Sequence, residues 1–84
     1  MDNLFYKTVT GNEGGSNISV GVNRSQIIKV SRQGLQYDEK LFVDVASLTS
    51  MEWVFLIGFG KRIHFLIPFA EGGETIHIIY KVTT

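Results

Sequence analysis

"GKRIHFLIPFAEGGETIHIIYKVT", Gly60 to Thr83, decides the fold class, because two alternating apolar runs flank a double glycine. Ile63, Phe65, Ile67 and Phe69 recur at every second position before the glycines, and Ile76, Ile78, Tyr80 and Val82 do so after them. A period of two belongs to a strand with one buried face. Gly-Gly is a two-residue hairpin signal, so with Gly72 and Gly73 as the loop, Phe69 is expected opposite Ile76, Ile67 opposite Ile78, Phe65 opposite Tyr80 and Ile63 opposite Val82. The second face then reads Pro68 with His77, Leu66 with Ile79, and His64 with Lys81. In that register the two histidines stand about 13 to 14 Å apart along the strands, at roughly 3.4 Å per residue, too far to share a metal. No carboxylate faces His64 to orient it as a base, so both read as ordinary exposed sheet histidines. Pro68 predicts an edge or a bulge, since proline cannot donate to a sheet ladder.

Upstream segments carry the same period. "NISVGVN" alternates Ile18, Val20 and Val22 with Ser19, Gly21 and Asn23, and "LFYKTVT" before it reads as a first strand. "GNEGGSN" between them is a loop by composition. "SQIIKVSRQGLQYDEK" places Ile28 and Val30 on one strand face, reverses at Gly34, and returns through Leu35 and Tyr37. "LFVDVAS" alternates Leu41, Val43 and Val45 against Phe42 and Asp44 and reads as a short strand, followed by the polar connection "SLTSM". In "MEWVFLIGFG", Trp53, Phe55 and Ile57 form one row and Val54 and Leu56 the other, so the strand is central and covered on both sides, or packed on a partner chain. The expectation is an all-β fold: a small antiparallel β-sandwich or barrel of about seven short strands, Ig-like or jelly-roll-like, with residues 1–84 as one domain.

Composition bounds the rest. A chain of 84 residues buries only roughly 60 to 65 percent of its unfolded surface. It has no cysteine, which removes disulfides and thiolate metal ligands. Packing and self-association remain as stabilising terms. Eight basic and eight acidic residues balance to zero net charge and are scattered, so no nucleic-acid footprint is expected. The N-terminus "MDNLFYKTVT" reads as neither a signal peptide nor a basic targeting segment, which predicts synthesis in the cytoplasm. The longest apolar run, Trp53 to Phe59, falls well short of the roughly 20 residues of a spanning helix, so no membrane partner is expected.

No serine lies in a G-x-S-x-G elbow. Asp38 with Glu39, and Glu71 with Glu74, lie at predicted turns, where solvated acids are ordinary. Gly58 and Gly60 in "GFGK" lack the spacing of a phosphate loop and read as a turn. No enzyme, cofactor or metal site is expected.

Apolar residues are more informative. Trp53, Phe55, Ile57, Leu56, Leu66 and Ile79 exceed what one thin core requires and form the candidate interface, the alternative being a sandwich whose sheets are covered by their own loops. "IIKVSRQGLQYDE" and then "GKRIHFLIPFAEGGETIHIIYKVT" carry a strand through a glycine turn to a tyrosine, and later an I-x-F strand through Pro68 and a Gly-acid turn into I-x-I-x-Y. On Gly34, Tyr37, Ile63, Phe65, Pro68, Phe69, Gly73, Glu74, Ile76, Ile78 and Tyr80 the chain resembles small β-sandwich modules of bacteriophage virions, of the tail, fibre and head-decoration kinds. The resemblance implies a non-catalytic structural protein, located in the virion, that forms a homo-oligomer or binds other virion proteins. A second reading is a carbohydrate-type binding module in which Tyr37 or Trp53 stacks on a sugar ring. A third is a small enzyme using His64 or His77.

Overall fold

In the computed structural model, which describes residues 2–56, 58 and 60–83, the β-branched and aromatic segments form seven strands: β1 (Asp2–Gly11), β2 (Asn17–Ser19), β3 (Ile27–Arg32), β4 (Leu35–Lys40), β5 (Glu52–Leu56), β6 (Arg62–Phe65) and β7 (Glu74–Thr83). They lie in the order β1-β7-β3-β4-β5-β6-β2 in one mixed sheet that curls into a half-barrel. Every pairing is antiparallel except that of β4 with β5. The fold is therefore all-β, as the period of two predicts. Among the described residues no helix is long and apolar enough to cross a membrane.

β4 is the corner. Its first half, Leu35 to Tyr37, pairs with β3, and its second half, Asp38 to Lys40, pairs with β5. The β1-β7-β3 leaf and the β5-β6-β2 leaf thereby fold over a common core of Ile18, Val20, Val22, Val30, Tyr37, Trp53, Ile63, Phe65, Phe69, Ile76 and Ile78. The β3–β4 reversal falls where Gly34 predicts it. Arg32 pairs with Leu35, and Gln33 and Gly34 between them have φ of 54° and 76°, the two positive values of a type I′ hairpin turn.

Three expectations are corrected. The double glycine does not close a hairpin: β6 pairs with β5 and β2, while β7 pairs with β1 and β3. Ile63, Phe65 and Phe69 before the glycines and Ile76 and Ile78 after them are buried as their alternation predicts, whereas Ile67 faces solvent; each run finds a different neighbour, because residues 66–73 carry the chain from one leaf to the other. "LFVDVAS" is not a strand; Phe42–Ser47 winds as 3-10 turns. The parallel β4–β5 pair requires the chain to run back about 10 Å, three residues at roughly 3.3 Å each, which a further strand cannot do. Finally, Ile28 and Val30 do not share a face: a register shift between Ile27 and Lys29 turns Ile28 outward, while Ile27 packs on the core and Val30 is buried.

Candidate interaction surface

Arg32 fixes the framework on which the surface is built. It follows Val30 at the strand period, so its side chain enters the core, where it is 1% exposed. Its Nε donates to Glu74 Oε2 at 2.6 Å, Nη2 to Glu74 Oε1 at 3.1 Å, Nη1 to the Ile67 carbonyl at 2.7 Å, and Nη2 also to the Pro68 carbonyl at 2.9 Å. Its guanidinium carbon lies 5.0 Å from the Phe65 ring centroid and 5.1 Å from that of Phe69. The Ala70 N–H donates to Glu74 Oε1 at 2.8 Å. Hydrogen bonding from Arg32 is the largest influence on Glu74 and holds its carboxyl below the ordinary range; burial opposes this, and the Ala70 amide and the Arg32 charge add to it. Glu74 is therefore not a solvated turn acid beside Glu71. Two inward carbonyls are the price of this arrangement at Ile67 and Pro68, just past the end of β6, where Leu66 and Ile67 face solvent, 49% and 48% exposed.

The half-barrel seam is drawn together near Gly11. The Gly14 N–H bonds the Phe69 carbonyl at 3.1 Å, the Phe69 N–H bonds the Gly15 carbonyl at 2.7 Å, and the Phe65 N–H bonds the Ser16 carbonyl at 2.8 Å. Gly11 lies against the Phe69 ring so closely that any Cβ there would overlap it. Further along, Lys7 reaches inward and Nζ donates to the Val20 carbonyl at 2.7 Å, with the Tyr80 ring centroid 5.9 Å away. A cation on an edge strand is thus turned into the seam rather than outward.

The sequence candidates are scattered over this framework. Trp53 and Val54 are both buried on the central strand β5, on its two opposite faces. Phe55 is half-buried against the core, and Leu56 is half-buried on the other face. Ile57 and Phe59 lie outside the described residues. Leu66 is exposed just past the end of β6, and Ile79 is half-buried on the β7 outer face, paired with Tyr6 and Lys29. Leu66 and Ile79 therefore do not face each other. Tyr37 is buried, edge-on to Phe65 with centroids 5.6 Å apart and planes at 83°. Neither Tyr37 nor Trp53 presents a ring face to solvent. His64 pairs with Asn17 and Val54 in one leaf, whereas His77 pairs with Thr8 and Ser31 in the other and its Nδ1 is hydrogen-bonded to the Tyr6 hydroxyl.

Two exposed apolar groups lie outside the sequence candidates. On β1, Leu4, Phe5 and Tyr6 are 65%, 45% and 61% exposed. On the crossover, Leu41, Phe42 and Val43 face outward and, with Phe55 and Arg24, line an open cleft of about 240 Å³. Arg24 Nε meets Glu39 Oε2 at 2.5 Å beside it. Their placements differ: β1 is the outermost strand of the sheet, whereas the 41–51 segment is the crossover between the two strands of the parallel pair at its middle. No protein-family model, curated protein or solved structure matches the chain.

Proposed function

We propose that this chain is a non-catalytic structural or assembly protein, of the kind carried by bacteriophage or prophage particles, acting by self-association or by docking on a larger particle. The observation that carries this reading is apolar surface left outside a finished core: Leu4 to Tyr6 on β1 and Leu41 to Val43 on the crossover are exposed although the interior is already filled by both leaves. Apolar groups gathered in this way lower the free energy of the molecule when another surface covers them. The virion attribution rests on the resemblance of Gly34, Tyr37 and the Ile63-to-Tyr80 pattern. Light scattering behind size exclusion, with and without charged replacements at Leu4 and Val43, tests the reading. Association weakened by either replacement is the expected result. A strict monomer that retains no particle component would overturn it.

A ligand-binding module is the second reading, favoured by the cleft beside Phe42 and Phe55. That cleft would take the place of Tyr37 and Trp53, whose rings lie in the interior. Sugar titrations followed by amide NMR distinguish it: shifts confined to residues 41–43 and 55 support a site there, and unshifted spectra remove it.

A further inference from the structure

We infer that the partner of the β1 edge is a second copy of this chain, its β1 running antiparallel with the two-fold axis at Phe5; the inference rests on the assembly reading above. β1 is a terminal strand of the sheet, ten residues long, and its pairing with β7 runs without a register shift from Asp2 to Gly11. It holds no proline. Its only charges are Asp2, at its start, and Lys7, whose Nζ is bound to the Val20 carbonyl across the seam. The usual devices that keep edges apart, namely bulges, prolines and outward charges, are therefore missing along the stretch from Leu4 to Tyr6. The opposite edge differs: β2 is three residues long and is flanked by loops.

Charge and apolar pattern together choose the occupant and its register. The formal net charge is zero, so two copies meet without long-range repulsion. Antiparallel strands keep like faces together, so a two-fold axis sets residues of equal parity opposite each other. An axis at Asp2 or at Lys7 would oppose like charges, which destabilises a sheet pair. An axis at Phe5 avoids both and overlays the whole exposed group on itself. Leu4 then faces the second copy's Tyr6 on the outer face, Phe5 faces its own counterpart on the inner face beside Tyr80, and Asp2 faces Thr8. Closed two-fold pairing of this kind makes one continuous sheet through both molecules.

The absence of cysteine supplies a clean test. In the proposed register residue 5 opposes itself, whereas residue 10 lies about 34 Å from its counterpart, at roughly 3.4 Å for each of ten residue steps. Phe5→Cys and Thr10→Cys, treated with a short bis-maleimide cross-linker at equal concentration, should differ at least tenfold in covalent dimer, with Phe5→Cys the higher. Leu4→Lys/Tyr6→Lys should weaken dimerisation of the full chain at least tenfold, with circular dichroism unchanged. An oligomer that cross-links no better at position 5 than at 10 overturns this inference and leaves the assembly reading standing. A monomer at every concentration also overturns it; the assembly reading then falls only if no particle component binds.

Discussion

Arg32 and Glu74 carry the most consequential single interaction of the chain. Removing one partner of a buried ion pair strands the other charge, at about 3 to 5 kcal/mol. Arg32→Leu should therefore lower the unfolding free energy by about that much, since it removes the cation paired with Glu74 and the donors to the Ile67 and Pro68 carbonyls. Urea unfolding measures it, and a loss below about 1 kcal/mol would contradict the role given to Arg32. Glu74 adds a pH dependence with a definite sign. Its folded carboxyl titrates below the unfolded value of about 4.3, so its contribution is complete above that value and is lost as pH falls through the lowered folded one. The stability gap between the native chain and Glu74→Gln should thus narrow in acid; a gap unchanged from pH 7 to about 3 would contradict this. Burial of Arg32 was partly legible, because it shares the parity of Val30. That Glu74 would meet it was not, since the two belong to strands β7 and β3 whose pairing the double glycine disguises.

Elements are held by the backbone shapes at their ends. Gly11 must lack a side chain because Phe69 packs on it while the Phe69 backbone is bonded to Gly15 on the same loop. Gly11→Ala should cost about 1 to 3 kcal/mol through overpacking, and Phe69→Leu in the same chain should recover part of that cost. Thermal unfolding of the single and double variants checks the coupling; simple additivity would contradict it. At the β3–β4 turn, Gly34→Val places a β-branched residue at φ 76° and should destabilise by about 1 to 2 kcal/mol. An unchanged midpoint would mean that the turn relaxes. This reversal, the β2 period and the two-sided burial of β5 were legible because each depends on near neighbours in sequence. The partners of β6 and β7 were not, for a period of two defines which face is buried and leaves open which strand lies alongside. "LFVDVAS" misled for a related reason: its alternation is real, but the crossover it must make over the β4–β5 pair overrides it.

At the scale of the whole molecule, an 84-residue chain without disulfides has folded its sheet about β4 and closed the core from both sides. What remains outside is then the part free to act on other molecules. Candidate residues chosen for apolar excess were largely spent on the core: Trp53 is interior, Phe55 and Leu56 are half-covered, and Leu66 is exposed just past the end of β6. The surface group at Leu4 to Tyr6 depended on which strand ends the sheet, and that at Leu41 to Val43 on the parallel β4–β5 pairing, neither of which a local pattern states. The central claim is that this uncovered surface is for association. Sedimentation equilibrium of the unmodified chain over a wide range of concentration tests it most directly. The account predicts a mass that rises from 9.4 kDa toward twice that value as concentration increases. A mass fixed at that of one chain throughout, with no particle component bound, would contradict it.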